Sequence, residues 1–156
     1  MSHVAPPAGE SSTASVAIVS ASAQVYRFVS VCLSATFAIV GLLFLLSPNQ
    51  VLLFFNDWSG IVGLKPSPVE GHGFFLILAT AYMYLVFLLA VLMVRHPHER
   101  MYPILLMNAK SASSLLSLLL FVFAAPYLIV LTNFIVDGAI AGLVAWLRSV
   151  QKRISE

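Results

Sequence analysis

Four long apolar runs decide what this chain can fold into. They lie at about residues 27–47, 72–94, 101–125 and 126–147, and about twenty residues of α-helix suffice to cross a hydrocarbon core of about 30 Å. Across the chain 60% of residues are hydrophobic and only 9% are charged, whereas a soluble domain carries about a quarter charged residues. Lipid gives the backbone no hydrogen-bond partners, so such runs have to be helical. We therefore predict an all-α polytopic membrane protein with four transmembrane helices in an up-down bundle.

The segments outside these runs predict little further folded structure. Residues 1–24 are rich in Ser, Ala and Pro, with Glu10 as their only charged residue, a composition typical of disorder. We expect a disordered N-terminal tail there. Residues 25–148 then form a single transmembrane domain, and residues 149–156 form a basic C-terminal tail.

The connection between the first two runs predicts a short helix at the membrane interface. Ser47 and Pro48 end the first run, and the same pair suits the start of a new helix, because Ser is a good N-cap and Pro fits the first helical position. Residues 51–55 are too few to cross a membrane, and Trp58 is a residue typical of the interface. An ordinary connecting loop is the alternative.

The third and fourth runs each carry one ionisable residue near the middle. Only Ala125 and Pro126 join these runs, and a helical hairpin places residues equally far from its turn at the same depth. Lys110 lies fifteen residues before Ala125 and Asp137 lies eleven after Pro126, so they are about 22 and about 17 Å from the turn. A lysine side chain covers that difference of about one helical turn. Since an unpaired charge in a membrane costs roughly 3 kcal/mol or more, we predict an ion pair inside the bundle.

Amides and hydroxyls extend this candidate site. Ser114 and Ser117 follow Lys110 at helical spacing, and Asn133 precedes Asp137 by one turn. Two roles are open for the pair: an interhelical clamp that fixes the register of the two helices, and a site for a ligand or a proton. The candidate ligand or ion-pair residues are Lys110, Asp137, Asn108 and Asn133.

A second polar group stands where the second run begins. Glu70 and His72 flank Gly71 at this outer entrance. They could bind a polar head group or relay protons, since a histidine changes its charge near neutral pH. Anchoring of the helix at the interface is the alternative.

Small residues and aromatic stripes indicate how the helices pack. Gly138 and Gly142 form a small-xxx-small motif, which lets helices approach closely. One face of the first run carries Ser30, Ser34, Phe37 and Gly41. On the second run Tyr82 lies off the stripe formed by Thr80, Tyr84 and Phe87.

No constellation for metal or cofactor chemistry stands out. His96, His98 and Glu99 lie on a short loop without the helix or strand frame that fixes the geometry of metal ligands. Cys32 is the single cysteine, which excludes an intrachain disulfide and a CxxC site. We predict no catalytic residues, no metal and no cofactor.

Basic residues are distributed unevenly about the four runs. Near the ends of the runs six Lys and Arg residues fall on one side and only Lys65 on the other, which by the positive-inside rule places both termini in the cytoplasm. We expect an integral protein of a bacterial inner membrane. A net charge of +2 is too small to suggest nucleic acid, so the expected partners are the lipid bilayer and other membrane subunits or further copies of this chain. The six are Arg27, Arg95, Arg100, Arg148, Lys152 and Arg153.

Several of these features together give a layout that resembles the DoxX-like group of small four-helix membrane proteins. They are a first run that closes on Leu-Leu-Ser-Pro with an apolar connection at residues 45–55, the acidic Glu70, Lys110 early in the third run and the Val-Asp-Gly of residues 136–138. The resemblance implies a compact up-down bundle, often of unassigned function and sometimes associated with redox enzymes or larger assemblies.

Three classes of function fit this sequence. A non-catalytic subunit or assembly factor of a larger membrane complex is favoured by the near absence of extramembrane domains. The alternative is a protein that binds or transports a lipid-like molecule or protons through Lys110 and Asp137. An enzyme acting on a lipid or quinone is disfavoured, because one lysine, one aspartate and hydroxyls form no recognisable catalytic group.

Overall fold

The computed structural model describes residues 10–71 and 73–155, and within these ranges the chain forms five helices and no β-strand. Four of the helices contain segments that are long and apolar enough to cross a membrane. The predicted all-α chain with four long apolar helices is thus confirmed. The helices are α1 (Glu10–Leu46), α2 (Pro48–Val62), α3 (Gly73–Arg95), α4 (Met101–Phe123) and α5 (Leu128–Ser155).

Helical structure extends beyond the predicted spans at both ends of the chain. α1 already begins at Glu10 and α5 continues to Ser155, so residues 10–24 and 149–155 are helical where the sequence predicts tails. Residues 10–24 contain neither Gly nor Pro, and lengthening an existing helix needs no new nucleation. The polar composition of this segment therefore did not prevent helix formation. Residues 1–9 of the predicted tail lie outside the described residues.

The short helix predicted between the first two spans is present and longer than expected. Ser47 has a non-helical backbone (φ −142°, ψ 51°) and Pro48 occupies the first turn of α2, although the Ser47 side chain makes no capping hydrogen bond. α2 ends at Val62 and is capped by Gly63, whose φ of 72° would strain any residue with a Cβ. There Leu64 N donates to the Ser59 carbonyl at 2.9 Å. The location of α2 at the membrane interface stays a prediction.

Side-chain hydrogen bonds fix the connection from α2 to α3. Asn56 Nδ2 donates to the Ser67 carbonyl at 2.8 Å, and Asn56 Oδ1 accepts from Ser67 N at 2.7 Å. The backbone of Lys65 also pairs with that of Tyr127. The connection therefore lies over the turn between α4 and α5, at the end of the bundle opposite the chain termini.

The bundle consists of two helix pairs. α1 packs mainly on α3 and α4 packs mainly on α5, whereas the contacts between the two pairs are fewer. The continuous apolar core fills the half of the bundle on the side of the chain termini. The fully enclosed side chains of this core are Tyr26, Phe37, Val86, Ala90, Met93, Leu106, Val144 and Leu147.

Candidate functional site

Lys110 and Asp137 form the ion pair predicted from their depths. Lys110 Nζ lies 2.8 Å from Asp137 Oδ1, and the two side chains are only 2% and 4% exposed. α4 and α5 run antiparallel from the turn at Ala125, and the long lysine side chain covers the offset of about one helical turn. A buried charge without its partner is strongly unfavourable. Because sliding the helices apart would separate the two charges, this contact holds α4 and α5 in register.

Two aromatic rings from the other helix pair enclose the lysine ammonium. Lys110 Nζ lies 4.8 Å from the ring centre of Phe37 on α1 and 5.1 Å from that of Tyr82 on α3. Both distances permit cation–π attraction, which is stronger away from water. The Tyr82 hydroxyl donates to the Ala109 carbonyl at 3.0 Å and so holds its ring against α4. Lys110 therefore connects all four long helices.

Only one of the two carboxylate oxygens of Asp137 has a hydrogen-bond partner among the described residues. Oδ1 accepts the hydrogen bond from Lys110, whereas Oδ2 is buried and has no hydrogen-bond partner among the described residues. A buried acceptor without a donor costs about 1 to 3 kcal/mol, and more when it is charged. The pair thus leaves one strong acceptor unused in the interior.

The helix contact beside the pair is unusually close. A Cβ built on Gly138 would lie 3.0 Å from Ser114 Oγ, and Ser114 Oγ donates to the Phe134 carbonyl at 2.8 Å. The hydroxyl cannot move away without losing that bond. Gly138 therefore supports the contact between α4 and α5, whereas Gly142 has no atom within 4 Å of a built Cβ and takes no part in packing inside the chain.

Further side-chain hydrogen bonds join α4 and α5 between the ion pair and the α4–α5 turn. Asn133 Nδ2 donates to Ser117 Oγ at 2.7 Å and to Ser113 Oγ at 3.3 Å. Small hydroxyl and amide groups on both helices thus line one side of the space next to Asp137.

This space is a cavity of about 390 Å³ among all four long helices. The packed core lies on the side of the termini and the cavity on the side of α2, so Lys110 and Asp137 form its floor. Apart from these polar groups its walls are mostly apolar, and they include Thr36 and Val40 of α1, Ala79 of α3, Leu120 of α4 and Val136 of α5. The volume falls within the range of about 300 to 1,000 Å³ that is usual for small-molecule sites.

A second cleft, of about 500 Å³, continues from the cavity towards α2. Phe54 and Phe55 of α2 form one wall, and Gln50 and Ser47 supply polar groups. Five residues line both spaces, which are therefore adjacent: Val40, Phe44, Ile129, Asn133 and Val136. Together they form a path from the ion pair to the surface beneath α2.

The remaining predicted site residues lie elsewhere. Asn108 is exposed and does not line the cavity, because two residues along a helix turn a side chain to the opposite face. Glu70 is in the connection before α3, far along the chain from the pair, and His72 lies outside the described residues. No group of three His, Cys, Asp or Glu residues suited to a metal occurs in the described part of the chain.

Sequence reasoning missed the rings around Lys110. The face shared by Ser30, Ser34 and Phe37 does point inward at Phe37, which is almost fully buried. On α3, by contrast, the stripe predicted from the sequence contains Tyr84 and leaves out Tyr82. In the structure Tyr82 contacts Lys110, and Tyr84 is exposed. α3 is apolar on all sides, so its sequence carries no signal for its inner face.

Compared with family models, with curated proteins and with solved structures, the chain matches none of them. The resemblance to the DoxX-like group rests on the layout of residues and stays a prediction.

Proposed function

We propose that this protein is a small integral membrane protein that binds one lipid-like molecule, with the polar head of that molecule at Lys110 and Asp137. The observation that carries the proposal is Asp137 Oδ2, a buried acceptor without a donor on a residue that lines an apolar cavity. A structural clamp alone needs neither the unused acceptor nor the space beside it.

The chemistry of the floor defines the kind of head group. Lys110 and Asp137 neutralise each other, so a charged ligand would bring an uncompensated charge into an apolar site. A neutral hydrogen-bond donor, such as an alcohol, a phenol or an amide, would satisfy Oδ2 without that cost. The ligand we propose is therefore an apolar molecule with a neutral head that donates a hydrogen bond.

The shape of the site suits a molecule that enters from the lipid phase, through the cleft beneath α2. The cleft beneath α2 continues from the cavity and is lined mostly by apolar residues, so a hydrocarbon tail can lie in it while the head reaches Asp137. Entry from the lipid phase avoids passing the tail through water. We propose that α2 covers this path at the membrane interface.

The test fills the cavity without touching the ion pair. Ala79 lines the cavity, and tryptophan in its place would occupy much of the volume next to Tyr82. The matched control is Ile77→Trp on the same helix, at a side chain that is 68% exposed and absent from the cavity wall. Mass spectrometry of protein purified in mild detergent would identify and count the bound molecules.

We expect one neutral apolar molecule to stay with the wild-type chain and with Ile77→Trp, and to be lost from Ala79→Trp. Equal retention by all three proteins would contradict binding in this cavity. Thermal unfolding of Ala79→Trp in detergent checks that the protein is still folded.

A second candidate, a non-catalytic subunit or assembly factor, is favoured by one surface of α5. Gly142 is exposed and its built Cβ meets no atom, while Trp146 is half exposed one turn further on. A helix of another chain can approach closely at such a position. Gly142→Leu should then abolish co-purification of a partner subunit and leave the fold intact, whereas an unchanged set of co-purified proteins would speak against this candidate.

The orientation we propose places both termini in the cytoplasm. Arg27, Arg95, Arg100, Arg148 and Lys152 all belong to the end of the bundle where the chain begins and ends, and Lys65 lies at the opposite end with α2. Basic residues that flank transmembrane helices favour the cytoplasmic side.

A further inference from the structure

A separate cleft with basic walls lies at the terminal end of the bundle. It encloses about 460 Å³ between α1, α3 and the connection from α3 to α4. Arg27 of α1, Arg95 at the end of α3 and His98 of the connection line it, together with apolar atoms of Ala23 and Val94. Nothing in the function proposed above uses this cleft, since it lies on the other side of the packed core from the cavity.

A buried glutamine holds the wall of this cleft in place. Gln151 of α5 is 1% exposed, and its Nε2 donates to the carbonyl of Pro97 at 2.8 Å and to that of Glu99 at 3.1 Å. His96 N donates to the Leu92 carbonyl at 2.8 Å. The connection that carries His98 is therefore ordered before any ligand arrives, which lowers the entropic cost of binding.

Among the described residues, no carboxylate neutralises the positive charge of the cleft. Lys110–Asp137 is the salt bridge that the described residues form, so Arg27 and Arg95 have no carboxylate partner there. Glu99 is the one acidic residue at this end between residues 20 and 152, and its Oε1 accepts from Met101 N at 3.4 Å. Arg27 and Arg95 thus both line a cleft in which the described residues supply no ion-pair partner.

We propose that this cleft binds the phosphate group of an anionic phospholipid. Guanidinium groups match phosphate oxygens through paired hydrogen bonds, and basic pockets between helices on the cytoplasmic side suit such head groups. The lipid is favoured over free phosphate because exposed apolar side chains continue from Arg27 along α1, beginning with Phe28 and Val31, which are 69% and 45% exposed. Acyl chains can lie against them.

Both arginines are needed because the cleft adjoins the C-terminus of α3, where Arg95 lies. The C-terminus of α3 has a partial negative charge and repels an anion, so the attraction has to come from Arg95 and Arg27. The loss of both should weaken the preference for anionic lipid about thirty-fold.

The experiment compares phosphatidylglycerol with phosphatidylcholine bound to the full chain, counted by native mass spectrometry. The cleft variant is Arg27→Gln with Arg95→Gln. The control, Arg148→Gln with Lys152→Gln, removes the same charge from the same end of the bundle without altering the cleft. Arg27→Lys with Arg95→Lys keeps the charge and serves as a folded reference if the first variant is unstable.

We expect the wild-type chain and the control to prefer phosphatidylglycerol, the cleft variant to lose that preference, and the lysine variant to keep part of it. Equal losses in the control and the cleft variant would show a diffuse charge effect and overturn the site, as would an unchanged preference in the cleft variant. Inorganic phosphate is the last arm: it should fail to displace the lipid, and displacement at equal concentration would assign the cleft to free phosphate.

Discussion

The carboxylate of Asp137 has different surroundings at its two oxygens. Oδ1 receives the ammonium of Lys110 at 2.8 Å, and Oδ2 has no hydrogen-bond donor in the described part of the chain. The first contact stabilises the bundle, and the second is the acceptor that we propose for the ligand. The structural role and the proposed binding role of Asp137 can therefore be tested separately.

Removing one member of the pair should be worse than removing both. Lys110→Met or Asp137→Asn alone orphans a buried polar or charged group, and we expect each to lower the free energy of unfolding by about 3 kcal/mol. The double variant should recover much of that loss, because the two effects are coupled. Thermal unfolding of the four proteins in one detergent measures this. Harmless single changes with simply additive effects would show that the pair contributes no mutual stabilisation.

The two glycines of α5 should respond oppositely to a single methyl group. Gly138→Ala places its Cβ 3.0 Å from Ser114 Oγ, and we expect a loss of stability of about 1 to 3 kcal/mol from overpacking. Gly142→Ala is the matched control and should be neutral or slightly stabilising, since alanine is the better helix former. Denaturation midpoints in the same detergent compare them. Equal tolerance at both positions would show that α4 and α5 are less tightly packed than this geometry indicates.

The Lys110–Asp137 pair could be predicted because the turn of the hairpin has only two residues. The number of residues between each side chain and that turn therefore gives its depth in the membrane. The partners of Lys110 could not be predicted in full. Phe37 belongs to a face marked by small residues, but Tyr82 is on a helix without a polar side, where every stripe looks equally apolar. Asn108 is also among the predicted site residues, but it is two residues from Lys110 and helix geometry turns it away.

At the scale of helices and connections, the side chain of Asn56 supplies backbone hydrogen bonds in a segment that has no regular secondary structure. Its amide satisfies both the N–H and the carbonyl of Ser67, in a connection whose Lys65 also forms a backbone bridge to Tyr127. One side chain thus ties α2 to the segment that leads into α3.

Replacing Asn56 should loosen this connection while the four long helices persist. We expect Asn56→Ala to cost about 1 to 2 kcal/mol and to raise amide hydrogen exchange across residues 63–71. Asn49→Ala is the control, because Asn49 is an exposed residue in the first turn of the same helix. If exchange in the connection rises equally in both variants, the Asn56 hydrogen bonds do not hold it.

The existence of α2 was predictable from Ser47, Pro48 and the apolar residues after them, but its length was not. The apolar segment noted in the sequence covers only residues 51–55, yet the helix continues through Asn56 and Asp57 to Val62. The tertiary contact of Asn56 with Ser67 compensates for the weak helix propensity of that residue. Contacts of this kind leave no trace in local sequence patterns.

For the molecule as a whole, the two ends of the bundle differ in charge, and the proposed orientation rests on this difference. We expect Pro66→Cys, in the connection at the end with α2, to react with a membrane-impermeant thiol reagent from outside the cell in a Cys32→Ser background. Ser149→Cys, at the opposite end, should react only after the cell is opened. Labelling in the reverse order would invert the proposed topology.

The separation of Lys110 from Asp137 by 27 residues along the chain has a consequence for synthesis. At about 5 to 20 residues per second, Lys110 is synthesised, and later leaves the ribosome, about 1 to 5 s before Asp137 does. During that interval the least apolar of the four candidate spans carries an unmatched positive charge. We expect α4 to wait at the insertion machinery and to enter the lipid together with α5. Nascent chains truncated after Phe123 should therefore insert poorly, and Lys110→Leu should restore insertion; efficient insertion of the truncated wild-type chain would show that α4 enters alone.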